Sequence, residues 1–385
     1  MSLLALSPDR RTLSLPALTT AHSHAFQRAM RGTSQRKGIS RDDFWTWRGQ
    51  MYRLAMSLTP ESIARYSKVA FRELARAGVH TVGEFHYIQH QADGTPYGDR
   101  TLLAQTVIQA AKEEGLRVCL LRVAYHRAGP GRPAEDGQRR FCDPSVDDVL
   151  KDVAHLRALY KNDPDVRIGV APHSVRAVPP AWLGPLAAYA EEHQLPFHMH
   201  VAEQAREVEE CVAETSRRPV ELLADLGVLS PRFAAVHATH LESHEAALLG
   251  RAGGFACICA TTERDLGDGL PDISALRAND VRLCTGIDSH VITDPIDDLR
   301  SLETHERLRT RTRVTFQSAE ETPASRLWRE GSIVGANACG FPDAGARITI
   351  DRDHPTLALV EDDDALLDAV VFSGHPSLIA RTERD

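Results

Sequence analysis

From about residue 16 to residue 310, short apolar runs alternate with longer segments of helical period. That alternation limits the fold more than any other feature of the chain. Repeated strand–helix units build a parallel sheet, because each return to a parallel neighbour needs a long crossover, usually a helix. Eight strand candidates lie near residues 16–22, 80–86, 116–124, 167–172, 195–200, 233–237, 254–260 and 281–287. Between the first two, Thr59-Pro60-Glu61-Ser62 reads as a cap with proline at a helix start, and Gly78 as that helix's stop. Gly115 and Gly253 close later helices in the same way. The expected fold class is α/β, a (β/α)8 TIM barrel over residues 15–322.

At 385 residues the chain is long enough for such a barrel and a minor appendage. A helix over 324–338 and strands near 346–350, 356–360 and 368–372 are expected to join the N-terminal segment. Residues 1–14 and 323–385 would then form a small, abbreviated β-sheet appendage with one helix. Residues 128–143, rich in Gly, Pro and charge, read as a long loop after the third strand, where barrels carry functional insertions.

The net charge of −8 argues against nucleic acid as a partner, since a phosphate backbone selects basic surfaces. No run approaches the ~20 apolar residues of a membrane span, and the N-terminus lacks a signal-peptide pattern. Seven cysteines without a CxxC pair fit a reducing compartment, and a cytoplasmic location is expected. Cys257 and Cys259 read as core filling rather than metal ligands.

Histidines fall where barrel active sites form, at the C-terminal ends of the strands. The first strand ends in His22-Ser23-His24, and residues two apart on a strand share a face. The fifth ends at His200 with Glu203 three residues on, the sixth at His237 and the eighth at Asp288. Together they supply three nitrogens and a carboxylate oxygen for one zinc ion, leaving a fourth histidine and a glutamate for proton transfer. His198, one layer deeper, is expected to be a core histidine. His240 and His290 are expected in loops behind the site.

These positions resemble the amidohydrolase superfamily over essentially the whole chain. Longer strings resemble its formimidoylglutamate deiminase branch: residues 22–30 (HSHAFQRAM), 44–48 (FWTWR), 84–87 (EFHY), 173–178 (HSVRAV), 198–204 (HMHVAEQ), 236–240 (VHATH) and 288–291 (DSHV). The resemblance implies that His22, His24, His200 and Asp288 bind one Zn2+, with Fe2+ or Ni2+ accepting similar ligands. It implies that Glu203, His237 and Asp288 are catalytic. Arg48, Tyr87, His173 and Arg176 would hold two substrate carboxylates, with Gln27 near the reacting group. A guanidinium fork suits a carboxylate, so a small dicarboxylate imine is the expected substrate.

Arg48 is expected in an aromatic-rich loop, where packing on Trp45 or Trp47 is its alternative role. Asp265 stands where the relatives are expected to carry asparagine, and an inward-facing carboxylate there would repel a dianion. A homodimer is a further implication of the resemblance. Rival readings are a deaminase or chlorohydrolase acting on a ring, which would leave the cationic set unused, and a non-catalytic metal-binding barrel. A phosphate-binding P-loop and a GxSxG elbow are both absent from the sequence.

Overall fold

The computed structural model describes residues 3–35 and 43–384. Eight parallel strands form one sheet in sequence order: β1 (Leu18–Ser23), β2 (Val79–His86), β3 (Arg117–Ala124), β4 (Val166–Pro172), β5 (Phe197–Val201), β6 (Phe233–His237), β7 (Phe255–Ile258) and β8 (Arg282–Thr285). All but β4 and β8 are buried at every position, so their sequences read as continuous apolar runs rather than alternations. These eight strands form the parallel barrel that the alternation predicts. Observed strand bounds lie within three residues of the expected ones.

Closure brings β8 back to β1. Ile287 N donates to Thr20 Oγ1 at 2.8 Å, Asp288 N to His22 O at 3.1 Å, and His24 N to Asp288 O at 2.9 Å. The same contact that closes the barrel thus sets Asp288 beside both histidines of β1.

Helix ends follow the local chemistry. In Pro60–Arg76, Ser62 N donates to Thr59 Oγ1, and Gly78 at φ +80° turns the chain into β2. The aromatic-rich loop expected around Arg48 is instead a helix, Phe44–Ser57. Asp43 caps it by accepting from Trp45 N and Thr46 N, while the Thr46 hydroxyl accepts from Asp43 N. Aromatic density masked that signal. The expected loop at 128–143 contains a two-stranded ribbon (Arg127–Gly129 with Arg132–Pro133) and a 3-10 turn, Asp136–Gln138.

After the barrel, Pro323–Arg329 continues through a π-helical turn (Glu330–Val334) into Gly335–Ala338. It crosses the N-terminal ends of β1 and β5: Trp328 Nε1 donates to Pro16 O, Thr19 Oγ1 to Ser332 O, and His198 Nε2 lies 2.8 Å from Ala338 O. His198 is therefore the core histidine that its depth predicts.

The outer sheet has four antiparallel strands, in the order Ala5–Leu6, Thr12–Pro16, Ala346–Asp351 and Ile379–Arg384. Residues 1 and 2 of the expected N-terminal segment lie outside the described residues. Two expected strands are not strands. Residues 355–357 form a 3-10 turn opened by proline, and 366–373 form a helix. The β-branched pair Val370-Val371 suggests a strand, but Leu366, Leu367, Val370 and Val371 recur at helical spacing and bury one face. Among the described residues, no helix is long and apolar enough to cross a membrane.

Gly83 in β2 faces inward, and a Cβ there would lie 2.3 Å from Ala21 O and 3.0 Å from Cys339 Sγ. Gly83→Ala is expected to destabilise the fold by ~1–3 kcal/mol through overpacking, checked by denaturant unfolding. An unchanged midpoint would show that β1 and β2 can part freely.

Candidate active site

The residues that end β1, β5, β6 and β8 converge at one end of the barrel. Ala202 (φ 51°), His237 (φ 72°), Ala238 (φ 54°), Asp288 (φ 55°) and His290 (φ 57°) all adopt left-handed backbone without being glycine. Such residues cost about 1–3 kcal/mol each and persist where the surrounding structure over-determines them. Here they turn side chains inward just past the strand ends.

His22 Nε2 lies 3.2 Å from His24 Nε2 and 3.2 Å from His200 Nε2. Asp288 Oδ1 lies 3.3 Å from the Nε2 atoms of both His22 and His24. Four donors about 2.0–2.1 Å from one tetrahedral cation sit about 3.3 Å from each other, and these four separations match; His22, His24 and Asp288 form one candidate metal group and His22, His200 and His237 a second, with His22 shared between them. The ring orientations agree. His24 Nδ1 donates to Phe85 O at 2.9 Å and His200 Nδ1 to His173 O at 3.0 Å, which leaves both Nε2 atoms as inward lone pairs. Burial pushes His22 down to about 3, keeping that imidazole neutral as a ligand must be.

Asp288 turns its second oxygen, Oδ2, toward His237 Nε2 at 3.9 Å, and Glu203 Oε1 lies 3.8 Å from the same nitrogen. Burial opposes protonation of His237, yet Glu203, Glu263 and Asp288 together push it up to about 10. Burial raises the Glu203 carboxyl, with Asp288 adding repulsion.

Glu263, which the sequence reading passed over, is 3.3 Å from His237 Nδ1 and accepts from Cys259 N at 2.9 Å. It orients His237 from behind. Its signal was available: it stands in the helix Ala260–Leu266 that directly follows β7, at the same barrel end. Cys257 and Cys259 are buried free thiols, and His290 is buried with Nε2 2.9 Å from Ser23 Oγ, behind β1. His240 is half-buried.

A cavity of about 480 Å³ opens beside these groups. Every residue named from the sequence as a site residue lines it except His22, which lies beneath. Gln27 Nε2 donates to Tyr87 OH at 2.9 Å. Arg48 and Arg176 each have a buried Nη1 without a partner. Arg48 also stacks on Trp45, with Cζ 4.5 Å from the ring centroid, so its expected function and its expected packing coexist. Arg176 is 6% exposed, which rules out a surface role. His173 is held well below its usual range by burial and by Arg176. Asp265 accepts from Gln35 and does not line the cavity, so the repulsion it threatened does not arise.

The sequence matches the amidohydrolase family over residues 13–351. The chain belongs to the amidohydrolase family. It is 38% identical to a formimidoylglutamate deiminase of Pseudomonas aeruginosa, across 94% of this chain and 81% of that one. It is 28% identical to an 8-oxoguanine deaminase of the same species, across 74% of this chain and 61% of that one. Among solved structures, an amidohydrolase from Brucella melitensis superposes with a TM-score of 0.86 at 33% identity, covering 96% of this chain and 82% of that one. An atrazine chlorohydrolase from Arthrobacter aurescens, complexed with zinc, shares the fold with a TM-score of 0.79 at 20% identity, covering 94% of this chain and 80% of that one. As an amidohydrolase with such a homologue, the protein is a hydrolase acting on a C–N bond.

Gly286 packs directly under the ligand group, where a Cβ would lie 2.7 Å from His22 Cβ. Gly286→Ala is expected to displace His22 and weaken metal binding by on the order of 10–100-fold, read by competitive chelator titration. Wild-type affinity in this variant would mean that His22 is not a ligand.

Proposed function

We propose that this amidohydrolase removes ammonia from N-formimidoyl-L-glutamate, giving N-formyl-L-glutamate, with one zinc ion held by His22, His24, His200 and Asp288. The observation that carries the reading is the pair of buried, unpartnered guanidinium nitrogens on Arg48 and Arg176, in the same cavity as the histidine–carboxylate group. Burying a cation without a counter-charge is costly, so two such cations fit a ligand that brings two carboxylates. The 38% identity to a formimidoylglutamate deiminase supports the same substrate. A neutral ring would leave both charges uncompensated.

When bound, the zinc ion supplies Lewis acidity that brings the pKa of a water toward about 7. The residues then divide the remaining work. Arg48, Tyr87, His173 and Arg176 hold the glutamyl carboxylates and so fix where the formimidoyl carbon stands. Asp288 Oδ2 faces the attacking water and takes its proton, while His237, held protonated by the surrounding carboxylates, stands beside it and steadies the negative charge that develops on the oxygen. Glu203, whose proton affinity burial raises, delivers a proton to the departing nitrogen, so that the C–N bond breaks with neutral ammonia as the leaving group. Gln27, tied to Tyr87, orients the imine end. Glu263 keeps the His237 ring aimed at Asp288.

Zinc-loaded protein is expected to release ammonia from N-formimidoyl-L-glutamate and not from guanine or a chloro-s-triazine. Activity on a ring alone would overturn the substrate while leaving the metal site intact. Glu203→Gln is expected to keep its zinc and lose about 10²–10⁴ in kcat, measured by metal analysis alongside turnover. A variant close to wild type would remove Glu203 from proton delivery. Arg176→Met is expected to raise KM far more than it lowers Tm. An unchanged KM would sink the carboxylate clamp.

A further inference from the structure

Beyond His173, on the side away from the histidine cluster, the cavity ends in two phenols. The His173 ring lies 4.7 Å from that of His200 and 4.8 Å from that of Tyr125. Tyr52 comes from the helix Phe44–Ser57, one turn after Arg48, so both reach the cavity from one helix face. Tyr125 follows directly on β3. Its hydroxyl lies 3.2 Å from that of Tyr52. Neither phenol was singled out in the sequence.

A fully buried amide fixes which way these hydroxyls point. Gln138 Oε1 accepts from Glu135 N at 2.8 Å, so its Nε2 must be the group facing the phenols. Nε2 then donates to Tyr125 OH at 2.7 Å and to Tyr52 OH at 3.0 Å. Both phenol oxygens accept from the same amide. The phenol–phenol contact uses only one of the two hydroxyl hydrogens. The other is free for a further acceptor, and both phenols line the cavity together with Arg48 and Arg176. A donor fixed by a buried amide, next to two buried cations, is built for an anion.

We propose that Tyr52 and Tyr125, aligned by Gln138, form the end wall that receives the distal carboxylate and so sets the length of acid the cavity accepts. The inference rests on the dicarboxylate reading above. It adds that selectivity for a glutamyl over an aspartyl chain comes from hydroxyl donors, not from the arginines alone. Gln138 acts as a positioning residue, because it touches the phenols and not the ligand.

The test is calorimetric binding of N-formyl-L-glutamate and N-formyl-L-aspartate to zinc-loaded wild type, Tyr52→Phe, Tyr125→Phe and the double variant, with ammonia release from N-formimidoyl-L-glutamate run in parallel. Losing a hydrogen bond to a charged group is expected to weaken N-formyl-L-glutamate by on the order of tenfold. The shorter acid should be weakened less, and the kinetic loss should fall on KM more than on kcat. Gln138→Glu, nearly isosteric, turns an acceptor toward the phenols and draws their hydrogens away from the cavity. It is expected to mimic the double variant, whereas a purely structural role would tolerate it. Equal affinities for both acids in wild type and all Tyr variants would overturn the end wall. Tyr-dependent binding without ammonia release would keep the end wall and overturn the proposed reaction, so the two failures are distinguishable.

Discussion

Two backbone hydrogen bonds hold the active site together: Asp288 N to His22 O, and His24 N to Asp288 O. They close the barrel between its last strand and its first, and they bring His24 and Asp288, 264 positions apart, into one side-chain cluster. Without closure, His22 and His24 would still be neighbours, but the carboxylate would belong to a different edge of an open sheet. The strain of left-handed Asp288 and His237 sits beside this seam. Strain of that kind survives because eight buried strands and the 323–338 segment leave the loops no alternative path.

Charge is distributed unevenly within the cavity. Glu203, Asp288 and His237 gather on the side of the histidine group, while Arg48 and Arg176 lie with the phenols. Neither group of charges is balanced internally. The carboxylates surround His237, which they hold protonated, beside the neutral His22, and the guanidiniums keep unpartnered nitrogens. In a low-dielectric pocket an unpaired charge is costly, and the proposed dicarboxylate substrate would offset the two guanidiniums. The net charge of −8 carries no trace of this arrangement, because a local field and a molecular total are separate quantities.

Much of the site was legible before the fold. Strand ends can be read from apolar runs, and a barrel sends all its strand ends to one face, so His22, His24, His200, His237 and Asp288 could be gathered on paper. Arg48 was legible as a residue but not as a position, because Trp45 and Trp47 hid a capped helix. Glu263, Tyr52 and Tyr125 were passed over for one reason: each acts through a partner far away in sequence. In the outer sheet, Ile379–Arg384 is mostly exposed and pairs through its backbone with Ala346–Asp351, so its side chains carried no strand pattern.

The sequence by itself determined the parallel barrel, the end at which its chemistry lies, and the residue types available there. These follow from local periodicity and from the alternation of strand and helix, which each segment specifies without knowing its neighbours. Only the tertiary structure decided which lone pairs face inward, which amide aims two phenols, and that Asp265 turns aside while Arg176 is buried. Those outcomes depend on contacts between segments dozens to hundreds of residues apart, and no local pattern encodes the angle at which two distant backbones meet.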